Sequence, residues 1–453
     1  MKYDTIDEKK DFFQKARRAK RAFSVLPELR EAKTRNKGRF KMTSVKEYIQ
    51  SHWQDTVRLN PRDKGRLLGL PKPYTVPCIG DFFQEMYYWD TYFTNVGLIL
   101  SSRVDQAKNN CENMAALICR FGFMPNGNRT YYLNRSQPPF FSRMVAQVYR
   151  ETGEKEWLEG MWEPLCTEYR FWQEKRMTDC GLNRYYGYAG GEVTKGENGR
   201  VFCTRLGRAA PQDAKELAKL GESFMSFAES GWDCNSRFGL YAQNGVPADL
   251  NALLYGMEKD LEHFAEILNR PGERAFFEKA AEERAERMRK ILWNEEIGAF
   301  CDYDFAEKKL HRLASCAAFY PMTTGLLTKE EAAKTRKLLE KLEFEHGVAC
   351  CEAREDLMNL QWDYPNGWAC LHYMVVDGLL SYGYREDALR IAEKYVRTVE
   401  RNFESTGNLW EKYNVVTGEV AVNKEYKTPP MMGWSAGIYL YCRSFLDSAA
   451  ENA

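Results

Sequence analysis

The segment "REDALRIAEKYVRTVERNFEST", residues 385–406, carries apolar side chains at the spacing of a helix. Ala388, Ile391, Ala392 and Tyr395 follow the pattern i, i+3, i+4 and i+7, which places them on one helical face. The same period recurs in the segments 215–230, 252–269, 273–294 and 328–344. Strand-like alternation is scarce and short. The sequence therefore predicts an all-α protein.

The composition indicates an ordinary globular protein, with 44% hydrophobic and 28% charged residues and a net charge of +1. This balance gives no electrostatic preference for nucleic acid or for an anionic membrane. The basic run at residues 15–23 could be a nucleic-acid arm, but it fits better as the solvated face of a helix. The most apolar segment, 368–380, is too short to span a bilayer. Neither nucleic acid nor membrane is therefore expected as a partner.

The cysteines and the N-terminus together favour a cytoplasmic location. The 13 cysteines contain no C-x-x-C spacing, which is typical of reduced and mostly buried thiols. The first residues alternate acidic and basic side chains and contain no apolar segment of the kind a secretory signal needs.

Aromatic and polar residues cluster in the segments between the predicted helices. Five such segments, 83–93, 123–141, 228–238, 359–369 and 408–419, mix Trp or Tyr with Asp, Asn, Gln, Arg or Glu. Because they lie at helix ends, we expect them to gather at one rim of a helical assembly.

Several catalytic chemistries lack their motifs. The five histidines, His52, His263, His311, His346 and His372, are widely spaced and form no metal-ligand pattern. The glycine-rich turn at 187–193 has no nucleotide-binding context, and no G-x-S-x-G elbow is present. We therefore expect neither a metal nor a cofactor.

Sugar is the ligand class that fits aromatic faces beside carboxylates, amides and guanidinium groups. Hydrolysis of a glycosidic bond also needs two carboxyl groups, one protonated and one ionised. The candidate acids are Asp90, Asp233, Asp363, Glu411 and Glu425. Asp233 follows Trp232 directly, which suits either a protonated acid in a water-poor cleft or a residue capping a helix start.

These motifs resemble the trehalases, the α,α-trehalose hydrolases of glycoside hydrolase family 37. "YYWDTYF" (87–93) is similar to the second half of the first trehalase signature, and "QWDYPNGWA" (361–369) is similar to nearly all of the second signature. Family segments also match in order at 124–141, 229–238 and 246–261, so the resemblance runs from about residue 80 to about residue 440.

The resemblance implies an (α/α)6 toroid with the active site at one rim. It places the catalytic domain at residues 61–450, preceded by an N-terminal helical extension at 1–60. It implies an inverting hydrolase with Asp233 as general acid and Glu411 as general base. The residues implied to hold the sugar are Trp89, Asp90, Asn126, Arg135, Ser136, Gln137, Gly231, Trp362, Asn366, Trp368, Glu425 and Trp434, and Tyr426 adjoins Glu425.

The surroundings of Asp233 and Glu411 must keep the two carboxyl groups in different protonation states. Trp232 beside Asp233 should lower the local dielectric and raise the pKa of the acid. Glu411 must stay ionised, so we expect wetter or cationic surroundings, with which the neighbouring Lys412 is compatible.

The chain departs from the family at two places. The family's first signature has an arginine where this sequence has Phe82, which predicts either an apolar ring in the donor-glucose subsite or a ring packed into the core. The R-P-E-S motif is not cleanly present, and Arg205 or Arg208 could substitute for its arginine. The predicted function is hydrolysis of an α-glucoside, first of all trehalose. The alternatives are another α-linked disaccharide or a non-catalytic sugar-binding role.

Overall fold

Helices built on the apolar periods of the sequence make up most of the protein. The computed structural model describes residues 44–421 and 426–451. Its helices are α1 (Val45–His52), α2 (Tyr88–Leu100), α3 (Val104–Phe121), α4 (Phe141–Thr152), α5 (Lys155–Arg176), α6 (Glu192–Arg205), α7 (Ala214–Ser230), α8 (Ala248–Ile267), α9 (Pro271–Leu292), α10 (Tyr320–Thr323), α11 (Lys329–Arg336), α12 (Leu339–Leu342), α13 (Ala369–Ser381), α14 (Arg385–Thr406) and α15 (Gly433–Glu451). Single 3₁₀ turns lie at Trp53–Thr56, Thr130–Tyr132, Ala242–Asn244 and Cys316–Phe319.

The described strands are short antiparallel pairings between the segments that connect the helices. They are β1 (Val57–Arg58), β2 (Tyr74–Thr75), β3 (Gly245–Val246), β4 (Trp293–Asn294), β5 (Ala299–Phe300), β6 (Tyr303–Asp304), β7 (Lys309–Leu310), β8 (Glu343–Phe344), β9 (Gly347–Val348), β10 (Asn366–Trp368) and β11 (Lys412–Asn414). β3, β6 and β7 form one sheet, and the pairs β1–β2, β4–β5, β8–β9 and β10–β11 form the others.

Two kinds of helix build two concentric layers. In the described part of the chain, α2, α4, α8, α10, α13 and α15 each pack on the next, and α15 returns to α2 to close a ring. Most inner helices are buried on almost every side, as α13 is from residue 369 to 379. The outer helices bury one face, as α14 does. A helix without a polar face must be buried on all sides, whereas an amphipathic helix buries one face. The distribution of apolar residues around each helix therefore indicates whether it belongs to the inner or the outer layer. This is the expected (α/α)6 toroid.

A helical hairpin interrupts the ring order between the outer helix α5 and the inner helix α8. Its two members, α6 and α7, pack closely on each other. Gly199 and Gly221 permit this contact, since a Cβ at either position would lie within about 2.1 Å of a backbone oxygen of the opposite helix. A separate apolar cluster, which includes Phe202, Leu220 and Phe227, holds the hairpin together. The hairpin leads directly into the segment that carries Asp233.

The helices predicted at 215–230, 252–269, 273–294 and 385–406 are confirmed to within a few residues as α7, α8, α9 and α14. The predicted helix 328–344 is interrupted, because α11 ends at Arg336, α12 spans Leu339–Leu342 and β8 follows.

The basic run at 15–23 and most of the predicted extension at 1–60 lie outside the described residues, so the domain division stays a prediction. None of the helices in the described residues is both long and apolar enough to cross a membrane.

Candidate active site

Asp233 lies just beyond the carboxyl end of α7, so the alternative that it caps a helix start is wrong. The helix ends at Ser230, and Gly231 turns the chain with a left-handed φ of 73°. A Cβ at Gly231 would lie 2.8 Å from the indole of Trp89, so the turn also needs glycine for space. Trp232 then enters the core, and the Asp233 side chain is only partly buried.

An ion cluster supports this turn from below. The guanidinium of Arg237 stacks 4.4 Å from the ring of Trp232. It also donates two hydrogen bonds each to Asp249 and Asp302, at 2.8–3.0 Å. All three charged side chains are buried, and their fixed geometry gives Trp232 and its neighbour Asp233 a rigid base.

Glu411 reaches the same region from the other end of the chain. β11 pairs with β10, which sets Lys412 opposite Trp368. The backbone N–H of Glu411 donates to Pro429 at 3.2 Å. The second signature and the segment after residue 426 therefore fix the backbone of Glu411 from two sides.

Two donors contact the Glu411 carboxylate. The Lys412 ammonium forms a buried ion pair with Oε2, and the Tyr426 hydroxyl lies 2.8 and 2.9 Å from the two carboxylate oxygens. Burial raises the pKa of Glu411 above its usual value, while Lys412 and Tyr426 oppose that rise. The expected cationic surroundings are present, and the Glu411 carboxylate is buried.

Asp90, Asp233 and Glu411 lie close enough for their charges to interact. Burial is the main cause that raises the pKa of Asp90, and the charges of Glu411 and Asp233 add to it, so that this pKa is about 8. Burial also raises the pKa of Asp233, as the sequence predicted. Three cations oppose this rise, in the order Arg205, Arg135 and Lys412.

A cluster of indoles lies beside these carboxyl groups. Trp362 and Trp368 stack 3.7 Å apart with their planes 4° from parallel. Trp434 meets Trp89 and Trp368 edge to face at 5.8 and 5.7 Å. Trp232 closes the cluster against Trp362 at 5.4 Å. The predicted tryptophans are thus brought together, and they exclude water from beneath the acids.

The predicted sugar-binding residues at 126–137 come from one ordered segment. The backbone N–H of Asn126 donates to the Arg135 carbonyl at 2.9 Å. The amide oxygen of Gln137 accepts from the N–H of Trp89 at 3.3 Å, and Ser136 Oγ donates to the Met124 carbonyl at 2.7 Å. Arg135 Nε is buried without a hydrogen-bond partner.

The structure separates the two candidate arginines of the hairpin. Arg205, at the end of α6, stacks 5.0 Å from Phe224 and acts on the charge of Asp233. Arg208 is exposed, and its charge acts on Tyr241 at the surface. Arg205 is therefore the arginine near the candidate acid.

Phe82 is 58% exposed, so the predicted packing of its ring into the helical core is wrong. Its place in the donor subsite stays a prediction. The neighbouring Phe83 instead faces inward, 5.8 Å from Tyr87 and 6.4 Å from Tyr426. The backbone of Phe83 has a positive φ of 46°, and this turn directs the two rings differently.

Asp363 and Asn366 of the second signature have structural partners. Both carboxylate oxygens of Asp363 accept hydrogen bonds, from the N–H and Oγ of Ser236 and from the N–H of Leu360, at 2.7–3.0 Å. Asn366 donates to the Gln361 carbonyl at 3.1 Å. These contacts join the second signature to the segment after Asp233. Glu425 lies outside the described residues.

One buried acid near the site was missed in the sequence. Glu229 binds the backbone of Ser136 and the side chain of Arg176, and it stands four residues before Asp233. The one feature of the sequence that could have indicated Glu229 is its position in the last turn of a predicted helix, where the helix dipole disfavours a negative charge.

No group of His, Cys, Asp and Glu in the described ranges could hold a metal ion. His372 is a packing residue: Val348 N–H lies 3.0 Å from Nε2, and the Trp368 carbonyl lies 2.8 Å from Nδ1. Burial lowers the pKa of His372 to about 4, so the ring is neutral.

Comparisons with known proteins show the family to which the chain belongs. The family model described as Trehalase matches residues 4–447. The chain belongs to the trehalase family. It is 32% identical to a periplasmic trehalase of Escherichia coli over 426 residues, which is 88% of this chain and 73% of the relative. It is 34% identical to a periplasmic trehalase of Xanthomonas axonopodis over 428 residues, covering 88% and 72%. The structure of the neutral trehalase of Saccharomyces cerevisiae superposes with a TM-score of 0.72 at 27% identity, covering 90% of this chain and 81% of that one.

The family comparison confirms the predicted resemblance and the assignment as a glycoside hydrolase. It also corrects one expectation. The cytoplasmic location is wrong, because both bacterial relatives are named periplasmic trehalases. Buried cysteines were a misleading signal, since a thiol enclosed in the core is protected from oxidation by packing, whatever the compartment.

Proposed function

We propose that the protein hydrolyses α,α-trehalose to two molecules of glucose, with inversion at the anomeric carbon. Asp233 is the general acid that protonates the leaving oxygen, and Glu411 is the general base that activates water. The substrate follows from membership of the trehalase family and from the names of its bacterial relatives.

The observation that carries the proposal is a pair of interacting carboxyl groups in different surroundings, with Asp233 partly buried and Glu411 buried. No lysine adjoins Asp233 in the sequence, and burial raises the pKa of Asp233, which favours its protonated form. Arg205 and Arg135 then stabilise the carboxylate that forms as the proton leaves. An acid that is protonated beforehand and stabilised afterwards suits proton donation to the leaving glucose.

Glu411 has the opposite requirement. It must be ionised before the reaction, and its contacts with Lys412 and the Tyr426 hydroxyl favour the anion. Both contacts also hold the carboxylate in one orientation, which a base needs to take a proton from a fixed water. An inverting enzyme keeps its two carboxyl groups about 6.5–9.5 Å apart to leave room for that water.

The surrounding groups match a glucose ring. The indole cluster of Trp89, Trp362, Trp368 and Trp434 is buried, at 1–4% exposure, and forms an apolar base beneath the carboxyl groups, which suits the C–H side of a pyranose. Arg135 Nε provides a buried donor to a hydroxyl. Asp90 is protonated at neutral pH when its pKa is about 8, so it can donate as well as accept.

The test compares Asp233→Asn, Glu411→Gln and the exposed control Glu419→Gln, which lies in the same segment as Glu411. Each of the first two should lower kcat for trehalose by about 10²–10⁴-fold, because positioned acids and bases contribute that much. The control should retain the activity. Coupled glucose assays measure kcat, and thermal unfolding checks that the variants fold.

Near-full activity in Glu411→Gln would contradict the assignment of the base. The next candidate would then be Glu425, because the Asp363 carboxylate already accepts three hydrogen bonds. A disaccharide panel tests the substrate, since faster hydrolysis of another α-linked disaccharide would contradict trehalose.

A further inference from the structure

We infer that Glu229 is a positioning residue that sets the sugar-binding segment 135–137 in register with the acid Asp233. The inference rests on the proposed function, because it concerns how the proposed acid and the proposed sugar contacts are held together. Glu229 itself contacts neither the cleft nor solvent, since its side chain is fully buried.

The Glu229 carboxylate is surrounded by donors on both oxygens. Oε1 accepts from the backbone N–H of Ser136 at 2.8 Å and from Arg176 Nη2 at 2.6 Å. Oε2 accepts from Arg176 Nε at 2.7 Å and from the backbone N–H of Tyr186 at 2.6 Å. A buried carboxylate with four donors is fixed in place and has no lone pair directed at a substrate. It is therefore suited to hold other groups rather than to transfer a proton.

Its place in the chain makes this rigidity relevant to catalysis. Glu229 is in the last turn of α7, and Asp233 follows four residues later through the turn at Gly231. The Ser136 peptide, which Glu229 binds, lies between the side chains of Arg135 and Gln137. One carboxylate thus joins the segment of the acid to the segment that supplies the guanidinium and amide groups.

The rest of the sugar-binding segment has contacts of its own but none of this kind. Ser136 Oγ donates to Met124 and Asn126 N–H donates to the Arg135 carbonyl, which ties the segment to its own loop, and Gln137 accepts from the Trp89 N–H of α2. The Glu229 bond ties that loop to α7. Without it, the loop loses a charge-assisted contact to the element that carries the acid.

Glu229 also acts on Arg135 through its charge. The negative charges of Glu229 and Asp233 both favour the charged guanidinium of Arg135, whose pKa burial lowers. Glu229 therefore supports both the position and the charge of a proposed sugar ligand.

A structural ion pair elsewhere in the fold provides the matched control. Glu258 is also a buried carboxylate, and it accepts from Arg284 Nε at 2.9 and 3.0 Å. It belongs to α8 and binds neither the 135–137 segment nor the segment of Asp233. Glu229→Gln and Glu258→Gln each remove one buried charge from an arginine pair, so their effects on folding should be comparable.

The experiment measures KM and kcat for trehalose in Glu229→Gln, Glu258→Gln and the full wild-type chain, at a temperature below every unfolding transition. A loss of folded protein lowers apparent kcat and leaves KM unchanged, whereas a displaced sugar-binding segment raises KM. We expect KM to rise about tenfold in Glu229→Gln, the effect of losing one well-placed contact, and to stay within about twofold in Glu258→Gln. An unchanged KM in a folded Glu229→Gln variant would overturn the inference.

A second variant keeps the test decisive if Glu229→Gln does not fold. Glu229→Asp keeps the charge and draws the carboxylate back from the Ser136 N–H, so it should fold and still raise KM. A wild-type KM in this variant would also overturn the inference. A failure of the proposed function would be detected separately, because the Asp233→Asn variant would then retain its kcat for trehalose.

Discussion

At the scale of single residues, the ionisation of Glu411 is the central problem of this cleft. A buried carboxylate without partners would take up a proton and could not act as a base. Lys412 is the neighbouring residue in the chain, and in a strand such neighbours point to opposite faces. Here the Lys412 ammonium nevertheless returns to Glu411, and it lies 4.5 Å from the ring of Trp368 and 4.4 Å from that of Tyr426. The two aromatic faces hold it there.

Replacing Lys412 by Met should therefore change the pH dependence of the reaction. Loss of the ammonium removes the main group that opposes the raised pKa of Glu411, so this pKa rises further. The base must be deprotonated, so the acidic limb of the kcat/KM profile moves to higher pH, by about one unit or more for a contact charge. Profiles for trehalose measure the shift.

Lys394→Met is the control for this prediction, because Lys394 forms a more exposed ion pair with Glu343 away from Glu411. Its acidic limb should coincide with that of the wild type. An unshifted limb in Lys412→Met would show that Glu411 does not set the acidic limb.

At the scale of secondary-structure elements, the end of α7 determines where Asp233, the proposed acid, lies. The α6–α7 hairpin contributes Arg205 from one helix and Asp233 from the turn after the other, and both act in the same cleft. The turn depends on Gly231, which combines a left-handed backbone with close contact to the Trp89 indole.

Gly231→Ala should cost more stability than the same change at Gly407. Both glycines end a helix with φ near 70°, so each substitution incurs about 1–2 kcal/mol of left-handed strain. The Cβ at Gly407 meets no atom within 4 Å, whereas at Gly231 it would displace Trp89, which adds about 1–3 kcal/mol.

Chemical denaturation measures the two free energies of unfolding, and trehalose assays measure the activity. Gly231→Ala should also lose activity, because Trp89 precedes Asp90. Equal decreases in the free energy of unfolding of the two variants would mean that the contact with Trp89 adds nothing to the cost of Gly231→Ala.

At the scale of the whole molecule, the toroid exists only if its last inner helix meets its first. α15 packs against α2, and the backbones approach most closely where Gly437 faces Phe93 and Gly97. A Cβ at Gly437 would lie 2.1 Å from the Phe93 carbonyl oxygen. Trp89 and Asp90 precede this contact on α2, and Trp434 precedes it on α15, so ring closure also brings the site together.

Gly437→Ala should therefore destabilise the fold, because the two helices must separate to admit the methyl group. We expect a loss of about 1–3 kcal/mol or more in the free energy of unfolding. Gly160→Ala is the control: it lies in the outer helix α5 with open space around it, so alanine should stabilise the protein by up to about 1 kcal/mol. Denaturant titrations compare the two, and a neutral Gly437→Ala would contradict tight closure.

The helical class and the aromatic-acid segments could be predicted from the sequence. Apolar periods within a helix, such as that of residues 385–406, depend on local spacing and survive in the structure. The interruption between Arg336 and Leu339 could not be predicted, because the apolar period continues through it. The expected sugar contact of Arg208 and the two expected positions of Phe82 were also undecidable, since a motif gives the order of residues and not the direction of a side chain.

What the sequence determined by itself is the set of chemical groups and their order: helices of 3.6-residue period, and carboxyl groups placed beside indoles in the segments between them. The tertiary structure decided which groups share a cleft. Asp233 and Glu411 stand at the ends of different elements, and closure of the ring joins them. The burial that raises the pKa of Asp233, and the return of Lys412 to Glu411, arise only when distant segments pack together, because desolvation and ion pairing depend on distance in space and not along the chain.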